Sequence, residues 1–412
     1  MDRLRFCFLT TFYPPFNFGG DGIDVQRTAL ALVDRGHHVT VVHDVDAYEW
    51  LSQKRLPDQP VIQDGVEVIG LRSRFGVVSP FLTHQLGYPV MHGRAIDALI
   101  RKRAPDVIVY GNVSLVGGPG VLKLGGPALR VYVAHEHWLV CPTHVLWRFN
   151  REPCDVRACV RCALSYRRPP QIWRHTGALK RRLADVDLFI ARSEFSRTKH
   201  REFGLSQPME VLPYFLPAPF PEQPPPRMPE RPQQRPYFLS VGRLARIKGL
   251  DSVIPAFRRF PDADWLVIGD GNEMPRLRAL AADLPNVKFL GRIENHDLRR
   301  YYEHAIAAIV PSSGYETFGI VLIEAFHYHT PVIARRIGPF PEIIERANGG
   351  LLFSDTDELV AAIARLHGDP ALRDSFAVGA FGAAKKYWSE NAVIEGFLDL
   401  IENARAAKRT PQ

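Results

Sequence analysis

The chain reads as an α/β protein built from two doubly wound domains, and three observations predict this. Short apolar runs alternate with amphipathic stretches along both halves, a rhythm that gives parallel sheets with helices on both faces. The 412 residues exceed what one hydrophobic core organises, at about 150 residues per domain. Near the midpoint, ten of the 24 residues from Pro213 to Pro236 are proline. Proline fixes φ and removes a donor, so this segment is expected to be a stiff connector at a domain boundary.

In the first half, Phe6–Thr11, Val39–His43, Asp106–Tyr110, Leu129–Ala134 and Asp187–Ala191 read as buried strands, with helical spacing over Val25–Asp34 and Gly93–Arg103. In the second half the expected strands are Tyr237–Val241, Asp264–Ile268, Val287–Leu290, Ile306–Val310 and Pro331–Ala334. Helices are expected over Leu250–Phe260, Glu273–Ala282, Asp297–His304 and Gly319–Phe326. Domains of this kind gather their functional residues at the carboxyl ends of the strands. The expected division is a first domain over 1–212, a linker over 213–236 and a second domain over 237–380.

Hydrophobic residues make up 46% and charged residues 23%, which excludes a largely disordered chain. No run approaches the roughly 20 apolar residues of a membrane-spanning helix. Met1-Asp2-Arg3-Leu4-Arg5 leads straight into a strand-like run, and five cysteines are too few for a disulfide scaffold, so a cytoplasmic protein without a secretory signal is expected. The net charge of +8 is uneven: Arg148–Arg201 holds 14 basic and 5 acidic residues. That surplus reads either as a surface for an acidic partner or as a solvated arginine-rich face. No nucleic-acid motif accompanies it.

Three loops carry candidate chemistry. Gly19 and Gly20 lie between the first strand and an amphipathic helix, where a backbone can approach a phosphate or simply make a tight turn. Gly242-Arg243 and Lys248-Gly249 follow the first strand of the second domain. Arginine's fork and lysine's point charge suit a diphosphate there, and read equally as exposed surface charges. In Pro311–Ala325 a strand, a loop and a helix succeed one another, leaving the N–H groups of Gly319, Ile320 and Val321 free for an anion. Glu316 precedes that helix and Glu324 lies inside it, on an otherwise apolar face where a glutamate needs sugar hydroxyls or a salt bridge as partners.

The Glu316-x7-Glu324 pair in this setting resembles the retaining glycosyltransferases of the GT-B fold, family 4 type (glycosyl transferases group 1). Gly19-Gly20, Arg35-Gly36-His37-His38-Val39, Ser193-Glu194-Phe195-Ser196, Gly242-Arg243 with Lys248-Gly249, Gly269-Asp270-Gly271 and Pro331-Val332-Ile333-Ala334 before Pro341-Glu342 match in order. The resemblance implies two Rossmann-like domains facing across a cleft, with C-terminal helices over 381–412 packing back on the first. It implies that Arg243, Lys248 and the Gly319–Val321 amides hold the diphosphate of a UDP- or GDP-sugar, with Phe318 in the same loop. Gly19 and Gly20 would close over the phosphates, Glu324 would bind the ribose and Glu316 the donor sugar. The backbone at Arg292 and Ile293 would meet the base, and His135 the transferred sugar. His135 also reads as a core histidine. Phe326-His327-Tyr328-His329, Pro213-Tyr214-Phe215 and Gly338-Pro339-Phe340 depart from the family pattern at the donor-sugar site and the hinge.

Cations and amides can carry the leaving charge without a catalytic metal, and no Asp-x-Asp adjoins the diphosphate motifs. The implied reaction moves a sugar to a glycan or lipid-linked, anionic acceptor in cell-surface polysaccharide or glycolipid synthesis. A peripheral position on the inner face of the cytoplasmic membrane accords with the basic segment and its Trp147 and Trp173. An epimerase, a phosphorylase or an inactive carbohydrate- or membrane-binding protein shares the same fold. Cys141, Cys154, Cys159 and Cys162 occupy an insertion at about 138–170. They read as ligands of a structural zinc or iron–sulfur cluster, or as reduced, unligated thiols.

Overall fold

The computed structural model describes residues 3–57, 59, 61–217 and 230–409. Much of the proline-rich linker, 218–229, thus lies outside the described residues. Two parallel sheets organise the rest. The first contains β1 (Arg5–Leu9), β2 (His38–Asp44), β3 (Ile62–Gln63), β4 (Val66–Leu71), β5 (Val107–Tyr110) and β6 (Leu129–Ala134). A small hairpin, β7 (Trp147–Arg148) with β8 (Glu152–Pro153), precedes β9 (Leu188–Ala191) and β10 (Glu210–Val211). The sheet order is β10-β9-β6-β5-β1-β2-β4-β3, parallel except for β3.

The second sheet contains β11 (Tyr237–Val241), β12 (Asp264–Ile268), β13 (Val287–Gly291), β14 (Ala308–Val310), β15 (Val332–Arg335) and β16 (Gly350–Phe353). Its order is β13-β12-β11-β14-β15-β16, all parallel. Central strands such as β5 and β12 are buried along their whole length. Runs buried on both faces explain why an unbroken apolar sequence marks them.

Strands with weaker apolar signals escape a reading from periodicity. β4 mixes buried positions with half-buried and exposed ones beside β2, and β16 closes the second sheet with mostly half-buried residues. The stretch expected as one α-helix over Leu250–Phe260 is instead two 3₁₀ turns, Leu250–Ser252 and Ile254–Arg259. Pro255 follows Ile254 there and has no N–H for an α-helical bond, which favours the shorter turns.

Each sheet has its own apolar core, and the C-terminal helices divide between them. The helix Pro370–Tyr387 packs Ala380, Ala383 and Ala384 into the second core with Trp388. The final helix, Glu390–Arg409, sends Val393, Ile394, Phe397, Leu398 and Ile401 into the first. Arg35 beneath the first helix pairs with Glu390 at 3.0 Å, so the chain's end is fastened to its beginning. Among the described residues, no helix is long and apolar enough to cross a membrane.

Candidate functional site

A cleft of about 740 Å³ runs between the carboxyl ends of the two sheets. From the first domain Gly19, Gly20 and His135 line it, and from the second Arg243, Lys248, Glu316, Gly319 and Ile320. These eight sequence-predicted residues therefore meet. Val321 lines a small adjoining pocket of about 30 Å³ with Arg243 and Lys248.

The second-domain wall is set by backbone economy. Gly249 has φ +63°, and a Cβ there would stand 2.4 Å from the Pro311 carbonyl oxygen. The turn carrying Lys248 thus lies against the β14 loop, and only glycine permits both the angle and the approach. Lys248 Nζ donates to Glu316 Oε1 at 2.7 Å, and the Ser312 hydroxyl donates to the same oxygen at 2.7 Å. Burial alone would raise the Glu316 carboxyl, but Lys248, Ser312 and Arg243 outweigh it and hold the value below the ordinary range. Gly319 has φ +104° and caps the helix Ile320–His327 with its backbone alone.

On the first-domain wall the histidine is held by a buried network. His135 Nδ1 is 3.2 Å from the Tyr214 hydroxyl and 3.6 Å from Asp24 Oδ2. Arg192 donates to Asp24 and lies 4.5 Å above the Tyr214 ring. Burial, with Arg192 adding to it, drives the His135 pKa well below 6.5, so the ring is neutral at pH 7. The two walls are joined here: the Thr317 hydroxyl donates to the His135 carbonyl at 2.9 Å, and the Ser193 hydroxyl donates to the Thr317 carbonyl at 2.6 Å. Asp24, Arg192 and Tyr214 were not singled out in the sequence. Tyr214 lies within the unfamiliar Pro213-Tyr214-Phe215 junction, which was the available signal.

Other predicted residues stand apart from the cleft lining. The Phe318 side chain is buried against Tyr214 and Trp388, leaving its backbone as the part facing the loop. Glu324 is half-buried, its carboxyl raised by burial and opposed by Arg27 from the first domain. Arg292 is exposed beside Glu294, and Ile293 packs against the second core.

Within the insertion, Cys141, Cys154 and Cys162 are buried and Cys159 is half-buried, all as free thiols. The Phe149 N–H donates to Cys162 Sγ at 3.4 Å, and Cys141 Sγ is 3.3 Å from the Thr143 hydroxyl. Burial and then the neighbouring sulfurs push the Cys154 thiol up to about 11. Among the described residues no three of these sulfurs lie within 4.8 Å of one another; Asp44, Asp46 and His92 are the trio of metal-ligating side chains that does. Trp147 and Trp173, expected at a membrane interface, are instead buried. Trp173 packs over Gly87 and beneath Arg174, and its indole N–H donates to the His84 carbonyl at 2.9 Å. Their size made them interior pillars of a segment without strand or helix periodicity.

Two parallel Rossmann-like domains with a cationic, glycine-shaped wall facing a histidine wall define a GT-B-type architecture. The family model "Glycosyltransferase Family 4" matches residues 18–216, and "Glycosyl transferases group 1" matches 226–381. The chain belongs to the family 4 type glycosyltransferases of the GT-B fold. It is 36% identical over 190 residues to D-inositol 3-phosphate glycosyltransferase of Acidothermus cellulolyticus, covering 42% of each chain. It is 34% identical over 182 residues to the GDP-mannose-dependent monoacylated alpha-(1-6)-phosphatidylinositol monomannoside mannosyltransferase of Corynebacterium glutamicum, covering 41% of this chain and 47% of that one. The chain thus matches less than half the length of either relative. In fold it is similar to sucrose-phosphate synthase from Thermosynechococcus elongatus, with TM-score 0.74, 21% identity and coverage of 98% and 100%. It is also similar to Anabaena HepE in complex with UDP, with TM-score 0.66, 17% identity and coverage of 97% and 100%.

Proposed function

We propose that this cleft transfers a sugar from a UDP- or GDP-sugar, with retention of configuration, to a glycan or lipid-linked anionic acceptor. The product would belong to cell-surface polysaccharide or glycolipid synthesis. The observation that carries the reading is the convergence of Arg243, Lys248, Glu316 and the Gly319–Ile320 helix start on one wall, opposite His135. A departing nucleoside diphosphate gains negative charge, and cations with helix-terminal amides stabilise it without having to reorganise. The donor's diphosphate would take Lys248 from Glu316, leaving that carboxylate for sugar hydroxyls. Neutral His135, oriented by Tyr214 and Asp24, would face the transferred sugar. Glu324 would bind the ribose and the Arg292–Ile293 backbone the base; Gly19, Gly20 and the Phe318 and Val321 backbone would complete the diphosphate site.

The names of the relatives support transfer over the epimerase and phosphorylase readings, and one of them supports a lipid-linked acceptor. An anionic acceptor also suits Arg167 and Arg168, which line the first-domain side of the cleft. The four cysteines would hold a structural zinc or iron–sulfur cluster, a role that requires their sulfurs to draw closer on metal binding. Hydrolysis of a panel of UDP-, GDP- and ADP-sugars by the purified chain identifies the donor. Lys248→Ala should weaken binding of that donor's nucleoside diphosphate by about 1.5–3 kcal/mol, the scale of a lost charge-assisted contact. Unchanged affinity by calorimetry would refute the site.

A further inference from the structure

Away from the cleft lining, three first-domain segments bring metal-ligating side chains together. β2 ends at Asp44, whose Oδ1 accepts the Ala47 N–H at 3.0 Å and caps the helix Val45–Ser52. Asp46 lies in the first turn of that helix, and its Oδ2 accepts the Ser73 N–H at 2.7 Å. His92 immediately precedes the helix Gly93–Arg103, with its Nε2 3.4 Å from Asp46 Oδ2. One ligand atom of each residue lies within 4.8 Å of the other two.

Burial makes this arrangement costly as it stands. Asp44, Asp46 and His92 are 0%, 2% and 4% exposed. Among the described residues, Asp44 Oδ2 and His92 Nε2 have no hydrogen-bond partner. Two interior carboxylates repel each other and lose their hydration, and the His92 Nε2, although 3.4 Å from Asp46 Oδ2, makes no aligned hydrogen bond there. A divalent cation resolves all three deficits together.

We propose that Asp44, Asp46 and His92 bind a divalent transition-metal ion that serves as a structural clasp of the first domain. Carboxylate oxygens with one imidazole nitrogen form a mixed set suited to Mn²⁺ or Zn²⁺. The clasp fastens the end of β2, the segment at Ser73 and the start of the helix Gly93–Arg103. The helix Val45–Ser52 carries Trp50 and Leu51 to the cleft, and its Tyr48 lies 4.9 Å from Phe18 beside the Gly19 turn. The ion therefore supports the first-domain rim of the cleft and stands apart from the donor's diphosphate wall. This role is independent of which sugar, if any, the cleft transfers.

Manganese is the discriminating probe, because thiolates favour softer metals and the four cysteines would otherwise compete. The full chain is stripped with EDTA and titrated with Mn²⁺, with the free ion followed by electron paramagnetic resonance. One equivalent should bind per chain in the native protein and in Cys159→Ser, and binding should weaken at least tenfold in Asp46→Asn and in His92→Gln. Asp46→Asn keeps an oxygen for the Ser73 N–H, so its fold is testable by circular dichroism. Absence of bound Mn²⁺, or equal binding by Asp46→Asn, would overturn the site. Should both variants fail to fold, the stripped native chain decides: Mn²⁺ at saturating excess should raise its Tm by several degrees, and an unchanged Tm overturns the proposal.

Discussion

The two walls of the cleft are built by different physics. The second-domain wall is partly open to solvent: Lys248 and Glu316, 68 positions apart, face each other across two strand-end loops, with side-chain exposures of 31% and 22%. The first-domain wall is assembled over long sequence distances and is dry. Asp24 and Arg192 are separated by 168 positions, yet they pair with side-chain exposures of 2% and 6%. An exchangeable pair can release its lysine to a ligand at little cost to the fold. A buried pair is committed to the fold, because removing one member leaves an uncompensated interior charge.

That contrast predicts opposite outcomes for stability. Arg192→Leu should destabilise the protein by about 3–5 kcal/mol, the cost of orphaning a buried partner. Among the described residues Asp24 Oδ1 already has no hydrogen-bond partner, and the Leu212 and Pro213 carbonyls would lose the guanidinium at 3.4 and 3.3 Å. Adding Asp24→Asn should recover a substantial part of the loss, since it removes the stranded charge. Lys248→Ala should leave the denaturation midpoint nearly unchanged while weakening ligand binding. Chemical denaturation of the variants side by side is the measurement. Equal stability losses in Arg192→Leu and Lys248→Ala would erase the distinction between the walls.

The same contrast explains what was legible in the sequence. Gly242-Arg243, Lys248-Gly249 and Glu316 carry their chemistry within short loops between strong apolar strands, so spacing alone exposes them. Asp24, Arg192 and Tyr214 acquire meaning only after β1, β6 and β9 are paired, and no local pattern announces that. The final helix differs: its packing against the first domain is expected from the family resemblance, and the residues that enter the first core are set by tertiary packing. Trp147 and Trp173 misled because aromatic residues among arginines describe a membrane interface and a buried pillar equally well. The strands β4, next to the edge of the first sheet, and β16, at the edge of the second, lack the continuous apolar runs of the centre, so no such run marks them in the sequence.

Acid should separate the two domains next most strongly. His135, His137 and His200 are all buried in the first domain with depressed pKa values. For His200, burial lowers the value from 6.5 to about 4. The folded ring therefore stays neutral while the unfolded one takes up a proton below 6.5. Stability is present above that value and is lost as pH falls toward 4. At pH 5 the loss from His200 alone is about 2 kcal/mol relative to pH 7.5. Hydrogen exchange at the two pH values should show first-domain amides losing protection ahead of second-domain ones. A uniform loss across both sheets would contradict this assignment.

The smallest expected effect, and the sharpest test of asymmetry between the outer surfaces, concerns membranes. On the first domain, Val156, Val160, Leu164 and Ile172 are 64%, 44%, 58% and 70% exposed, within the same segment as exposed Arg161, Lys180 and Arg181. Apolar side chains among cations suit an anionic lipid surface, where each cation is worth about 1 kcal/mol. Some of the segment's charge is already engaged, for Arg148 pairs with Glu152, Arg197 with Glu194 and Lys199 with Glu202. Its fourteen bases outnumber its five acids, so a net positive face remains. The combined Lys180→Ala and Arg181→Ala change should weaken binding to phosphatidylglycerol-containing vesicles by about 30-fold, the equivalent of about 2 kcal/mol. Lys385→Ala with Lys386→Ala, which removes an exposed pair of like charge from the second domain, should have little effect. Raising salt from 0.05 to 0.5 M should abolish the difference, since screening shortens the reach of exposed charges below about 10 Å. Equal losses from the two double variants in vesicle co-sedimentation would mean that net charge, rather than this face, governs association.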